Sequence, residues 1–258
     1  MRRISRTSVL VALVAGIAGA GATTADAAVV TPPPKPAVFR DGLWLLRNTM
    51  NAGPADAAFG FGRAGDFPVM GDWDGNGTKT VGIVRGSTWY LRNTNAPGPA
   101  DITFTYGGPQ DFPVVGDWNA DGKDTPAVVR CPTTPCTTPV WYARNAASAG
   151  RAGTVVSFGV DGFPVVGDWD GDGDDTPGIV DDEMVWGCSN TFTNVRPALF
   201  TFGGVGDQPI VGAWGVNGSV GPGVVRDGLW LLRNRLSAGA STSSFRFGRA
   251  GDFFLVWQ

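Results

Sequence analysis

Ten tryptophans constrain this chain more than any other feature. Trp73, Trp118, Trp169, Trp214 and Trp257 form one series; Trp44, Trp89, Trp141, Trp186 and Trp230 form another. Intervals run from 43 to 52 residues and no Trp is left over. A large apolar residue at a fixed long period marks one supersecondary unit copied along the chain, each copy burying its face against the next. Arg40–Asn48 is identical to Arg226–Asn234, which ties the first and last copies to one register. A period near 45 built of strand-like segments is the signature of propeller blades.

Each copy holds four short segments, represented by Phe112–Trp118, Thr176–Val180, Trp89–Asn93 and Ile102–Gly107. They are rich in Val, Ile, Thr, Phe, Tyr and Trp, and Gly, Asp, Asn and Pro bound them, which is strand and turn chemistry. The first type recurs at 67–73, 112–118, 163–169, 208–214 and 252–257, and the second at 36–40, 80–85, 125–130, 176–180 and 222–226. The third starts at 43, 88, 140, 184 and 229, and the fourth ends at Gly62, Gly107, Gly159, Gly203 and Gly248. Five of each makes twenty strands. The copies begin on a second segment and finish on a first, so one blade is split between the two ends. The expected fold is all-β: a five-bladed β-propeller of four-stranded blades over residues 36–258, closed by pairing of its N- and C-terminal strands, which leaves no free inner edge.

Composition narrows function. There is no His, which removes the commonest general base, the usual Ser/His and Cys/His pairs and the usual zinc ligand. Against 20 basic stand 23 acidic residues, so no basic face for nucleic acid is expected. Arg2, Arg3 and Arg6, an apolar run from Val9 to Ala22 and the small-residue site Ala25-Asp26-Ala27 read as a secretory signal peptide over residues 1–27. Residues 28–35 form a Pro-stiffened leader. Removing the signal leaves 17 basic and 22 acidic residues. No second apolar run approaches membrane length. The mature chain is expected to be secreted and monomeric. Cys131 and Cys136 bracket a Pro-rich insertion and read as a disulfide, with Cys188 a buried free thiol.

Between first and second segments lies an acidic loop, Asp168-Trp169-Asp170-Gly171-Asp172-Gly173-Asp174-Asp175-Thr176. Oxygen side chains at alternate positions, with Gly for sharp turns, suit a calcium ion that takes six to eight oxygens. Asp168, Asp170 and Asp172 would bind by side chain and Asp174 by its carbonyl, with Thr176 or Asp175 completing the shell. Asp117, Asn119, Asp121 and Lys123 repeat the pattern, as do Asp72, Asp74, Asn76 and Thr78, where Lys79 weakens it. In the fourth copy, Ala213-Trp214-Gly215-Val216-Asn217-Gly218 has lost its carboxylates.

The run Phe158-Gly159 followed by Phe163-Pro164-Val165-Val166-Gly167-Asp168-Trp169-Asp170-Gly171-Asp172-Gly173 resembles the FG-GAP repeat, called VCBS in bacterial proteins. The resemblance spans residues 36–258 and implies a propeller with calcium in the hairpin between the first two strands, as in integrin α-subunits and some fungal lectins. Where that family places an acid at the ninth loop position, this chain has Thr80, Thr125 and Thr176, with Asp124 and Asp175 one place earlier.

Other features have two readings each. The Trp residues are sugar platforms or a repeated core position. Arg47, Arg92, Arg144 and Arg233 recur as a structural rung or as a ring of donors, beside turn-forming Asn48, Asn93, Asn145, Asn190 and Asn234. Asp181, Asp182 and Glu183 are a solvated turn or the acids of an enzyme. The expected function is non-catalytic binding of extracellular glycan or surface protein, with repeated weak sites acting together on a polyvalent target. The alternatives are a polysaccharide hydrolase or lyase on the same ring, or a structural surface scaffold.

Overall fold

The computed structural model describes residues 33–193, 198–215 and 218–258. The expected signal peptide, residues 28–32 of the leader, and Val216 and Asn217 lie outside them. The described residues contain twenty strands and no α-helix, hence no helix long and apolar enough to cross a membrane.

Five antiparallel four-stranded sheets make a five-bladed β-propeller. Blade II is β4 (Phe67–Gly71), β5 (Thr80–Arg85), β6 (Thr88–Leu91) and β7 (Ile102–Thr105). Blade III is β8 (Phe112–Gly116), β9 (Thr125–Arg130), β10 (Val140–Ala143) and β11 (Thr154–Ser157). Blade IV is β12 (Phe163–Gly167), β13 (Thr176–Val180), β14 (Val185–Cys188) and β15 (Ala198–Thr201). Blade V is β16 (Gln208–Gly212), β17 (Gly221–Arg226), β18 (Leu229–Leu232) and β19 (Ser243–Arg246). Blade I joins the two ends: β20 (Phe253–Trp257) pairs with β1 (Lys35–Arg40), followed by β2 (Leu43–Leu46) and β3 (Ala57–Gly60). The inner strands β4, β8, β12, β16 and β20 neighbour one another in a closed ring.

The core is spread over five wedges, each filled by one blade and completed by side chains of the next. Trp44, Trp89, Trp141, Trp186 and Trp230 are fully buried, one per wedge. A buried indole N–H needs an acceptor. Each donates to a backbone carbonyl just past the outer strand, at Phe61, Tyr106, Phe158, Phe202 and Phe247, 2.9 to 3.2 Å away. The second Trp series is therefore core, and its N–H ties the third strand to the end of the fourth.

The first series divides. Trp73, Trp118 and Trp169 are buried beside the acidic loops and Trp214 is half-buried. Trp257 does not belong with them. It lies opposite Lys35, while Phe253 lies opposite Phe39. In blade II the matching pairs are Gly71 with Thr80 and Phe67 with Val84. Trp257 thus occupies the place of Gly71, two residues ahead of a true Trp73 equivalent. Gly71 has no room for a side chain, because a Cβ there would lie 2.7 Å from the Trp73 ring and 2.9 Å from Asp124 Cβ. At the blade I position the indole is covered instead by the Lys35 ammonium, 4.4 Å from the ring centre.

Four blades carry an ion pair, its carboxylate buried, that binds the start of the inner strand to the end of the second. Arg40, Arg85, Arg130 and Arg226 clasp Asp252, Asp66, Asp111 and Asp207 with two bonds each, 2.6 to 2.9 Å long. Bidentate guanidinium–carboxylate geometry is the strong form of this contact. Burial pushes the Asp111 carboxyl up, but Arg130 and the Gly108 amide more than offset it and hold it below the usual carboxylate range. Blade IV has Gly162 in the Asp place and Asp181 in the Arg place, and so no such pair. The two partners are unequal: the Asp66 side chain is 1% exposed and that of Arg85 37%. Arg85→Ala strands a buried carboxylate and is expected to destabilise by about 3 kcal/mol. Asp66→Ala releases a guanidinium that can reach water, so its loss in urea melts should be clearly smaller.

Candidate functional site

The acidic loops follow β4, β8 and β12. In each, the first Asp folds the loop by accepting backbone N–H bonds. Asp168 Oδ1 accepts from Gly171 (2.6 Å) and Asp172 (3.2 Å), and Oδ2 from Gly173 (3.1 Å). Asp72 accepts from Gly75, Asn76 and Gly77, and Asp117 from Asn119, Asp121 and Gly122. The left-handed turn positions are Gly75, Gly77, Gly122, Gly171 and Gly173; the exception is Ala120, at φ 55°. In the loop after β12, carboxylate oxygens of Asp168, Asp170 and Asp172 lie within 4.8 Å of one another. The other two loops offer two carboxylates and one amide each. In one of them the Asn119 amide donates to Asp121 (3.0 Å); the other has Asp74 and Asn76. Thr78, Lys123 and Asp174, at the seventh position, each donate their backbone N–H to the fifth-position side chain.

The residues that sequence offered to close the shell are occupied elsewhere. The Thr176 hydroxyl is buried and donates to Ser189 O (2.6 Å) and Gly167 O (3.4 Å). Thr80 makes the same pair of bonds, to Arg92 O and Gly71 O. These hydroxyls stitch strands within a blade. Asp175 reaches across to blade III, where its carboxylate accepts from Asp117 N (3.0 Å) while its own N–H donates to Asp117 O (2.7 Å). Asp124 makes the same reciprocal pair with Asp72 of blade II. The eighth-position acids are therefore clasps between neighbouring blades. Lys79 turns its ammonium onto Asp124, at 3.1 Å, and its charge is spent there.

This end of the ring is crowded with like charge. Burial pushes the Asp174 carboxyl up to about 6, helped by repulsion from Asp172, Asp170 and Asp168. Burial likewise pushes Asp175 up to about 7; Lys79 opposes the shift, and Asp124 and Asp117 add to it. A carboxyl whose pKa is raised by folding holds its proton more tightly in the folded state. Its destabilising effect therefore begins as pH rises above the unfolded value near 4 and is complete above the folded one. In metal-free buffer the melting temperature is expected to rise as pH falls from about 7.5 to 5.5. A melting temperature that is flat or falls over that interval contradicts this reading.

A different feature lies between blades II and III. A cleft of about 320 Å³ is lined by Thr105, Tyr106, Gly107, Val128, Arg130, Tyr142, Gly150 and Ala152. The chain has three Tyr and two of them are here. The Tyr106 hydroxyl donates to Tyr142 O at 3.0 Å, bridging the blades, and burial pushes its pKa up. The Arg130 guanidinium sits over the Tyr142 ring, 4.8 Å from its centre, while gripping Asp111. Gly107 and Gly150 let neighbouring side chains pack close beneath the cleft: a Cβ at Gly107 would lie 2.7 Å from Val128, and one at Gly150 would lie 2.5 Å from the Arg144 guanidinium. Corresponding places around the ring are different: Phe61, Phe158, Phe202 and Phe247 replace Tyr106, and Leu45, Gly187 and Leu231 replace Tyr142. The cleft between blades I and II keeps an Arg over a Tyr, with Arg85 5.2 Å from the centre of Tyr90. The clefts are thus not equivalent, in contrast to the expectation of repeated sites.

Other expectations are resolved. Arg47, Arg92, Arg144 and Arg233 fold back onto the loop that follows the third strand and donate to its carbonyls. Arg47 does so to Asn51, Ala52 and Pro54, and Arg233 to Ser237, Ala238 and Ala240. Gly98 is required where the Arg92 guanidinium packs, since its φ is +147° and a Cβ would collide with that group. The Arg row is a structural rung. Asp181 accepts from Glu183 N and Val185 N, so its carboxylate organises a turn. Cys131 and Cys136 form a disulfide with Cα atoms 5.2 Å apart. Cys188 is a buried free thiol whose pKa burial pushes up to about 12. Comparisons with protein-family models, with curated proteins and with solved structures found no match.

Proposed function

We propose that this protein is an exported propeller of the FG-GAP/VCBS type that binds extracellular carbohydrate reversibly, without turnover, in the cleft between blades II and III. The observation that carries this reading is the pairing of Tyr106 and Tyr142 with Arg130 in one cleft. The half-buried Tyr142 ring offers an apolar face for the C–H side of a sugar ring, with Tyr106 buried behind it as support, and guanidinium and hydroxyl groups orient the sugar hydroxyls. The cleft also borders the one long insertion, since Arg130 leads directly into the Cys131–Cys136 loop.

Calcium has a separate, bracing role in this reading. The three converging carboxylates of Asp168, Asp170 and Asp172 suit a hard cation, and an ion there relieves the repulsion that raises Asp174. An ion bound only by the folded state stabilises it by mass action, so chelation is expected to lower the melting temperature. Asp170→Ala should remove more of that difference than Asp74→Ala. Equal melting in calcium and in chelator would remove calcium from the account.

A glycan array probed with folded protein, with calcium and with chelator, tests the function. Binding of one glycan class by the wild type and at least a tenfold loss in Tyr142→Ala are expected. An array without binding, or polysaccharide cleavage by the purified protein, replaces the proposal.

A further inference from the structure

The five inner strands open with Phe67, Phe112, Phe163, Gln208 and Phe253, one at each station around the mouth of the central channel. Adjacent rings meet edge to face: Phe67 with Phe112 at 4.9 Å, Phe112 with Phe163 at 5.0 Å, and Phe67 with Phe253 at 5.7 Å. This is the arrangement that aromatic quadrupoles favour. The chain of contacts runs through four stations and stops on either side of the fifth. There the Gln208 amide is turned onto the neighbouring strand, its N–H donating to Phe254 O (2.7 Å) and its oxygen accepting from Phe254 N (3.2 Å). Gln208 thereby clasps blade V to the split blade and leaves the aromatic ring incomplete between Phe163 and Phe253.

Below the mouth lies a cavity of about 210 Å³, lined by the opening residues of all five strands, which are Phe, Pro, Val, Ile, Leu and Met apart from Gln208. A hollow of about 150 Å³ between Phe39, Phe67 and Phe253 continues this surface outward, with Asp41 at its edge. Phe253 is 42% exposed, and Val205, on the loop leading into Gln208, is 84% exposed. An apolar cavity of about 150 Å³ lined by aliphatic and Phe side chains is large enough to take benzene.

We propose that the channel mouth binds a single aromatic ring of a small molecule, which takes the fifth station and makes the edge contacts to Phe163 and Phe253 that a fifth Phe would make. The ligand class is a one-ring aromatic compound with a short polar substituent left facing water. The site is independent of the cleft between blades II and III, and neither reading depends on the other.

The probe is benzyl alcohol, titrated into the intact protein and followed by ring-proton NMR shifts, with cyclohexylmethanol as the aliphatic match. Saturable shifts are expected, with benzyl alcohol bound at least fivefold more tightly than the aliphatic alcohol. Gln208→Phe fills the fifth station and is expected to abolish binding. Because that change also removes the clasp on Phe254, Phe163→Leu is the second arm: it keeps an apolar side chain, loses the aromatic edge, and should weaken benzyl alcohol at least threefold. No saturable shift up to the solubility of benzyl alcohol, equal affinity for the two alcohols, or unchanged binding in Phe163→Leu overturns the proposal.

Discussion

Deleting residues 253–258 is expected to abolish the cooperative unfolding transition. Those residues are the whole of β20, the inner strand of blade I, paired with β1 from Lys35 to Phe39. Without it the ring loses its contacts at both neighbours, β16 and β4, and β1 becomes an unprotected inner edge. Phe254, 6% exposed, leaves the wedge that it shares with Trp230, and Gln208 loses both backbone partners. Losing one buried Phe already costs about 3–5 kcal/mol, and whole domains are stable by only about 5–15 kcal/mol. Circular dichroism on heating gives the answer. A truncated chain that melts cooperatively within a few degrees of the intact one would show that the split blade does not hold the ring together.

The second large effect is expected at Trp230. Its ring stacks on Phe245 at 5.4 Å, meets Phe254 edge-on at 5.8 Å, and its N–H satisfies Phe247 O. Trp230→Ala leaves a cavity and an unpaired buried carbonyl together, so the loss should reach the upper part of the ~3–5 kcal/mol range for large aromatic truncations. Trp214→Ala, at a half-buried site, should cost less than half as much in urea melts. Equal losses at the two would contradict the difference in their burial.

Much of the fold was legible in the sequence because each blade repeats the same solution to the same packing problem. Strand and turn residues alternate at fixed spacing, and the Trp44 series marks the wedge core directly. The fourth segments end two residues before the expected glycines, at Gly60 and its equivalents, because the next residue, Phe61, gives its carbonyl to an indole and not to a ladder. Trp257 shares its residue type with Trp73 but not its place in the strand. The duplicated Arg63-Ala-Gly-Asp-Phe67 and Arg249-Ala-Gly-Asp-Phe253 runs carry the true register and set Trp257 at the glycine position. The Arg–Asp pairs leave a faint sequence signal: Asp66 and Arg85, Asp111 and Arg130, and Asp207 and Arg226 all lie 19 apart. The split blade conceals the fourth pair, because Arg40 and Asp252 are 212 apart.

The candidate cleft was harder to read for a physical reason. Tyr106 is a single departure from Phe, and the place of Tyr142 varies, with Leu45, Tyr90, Gly187 and Leu231 in the other copies. Neither stands out alone. They become one site only when the end of blade II is laid against the third strand of blade III. The acidic loops show the converse case. Their spacing is plain, but Asp175 binds the neighbouring blade and Thr176 its own, since a carboxylate or hydroxyl near an ion loop and one that binds a neighbouring strand have the same sequence signature.

The central claim is that the cleft between blades II and III is where ligand binds. Amide hydrogen exchange, measured on folded protein with and without the tightest array glycan, tests it most directly. Protection confined to residues 105–107, 128–130 and 140–143 is the expected result. Protection at the channel mouth or the acidic loops, with none at those residues, would contradict it.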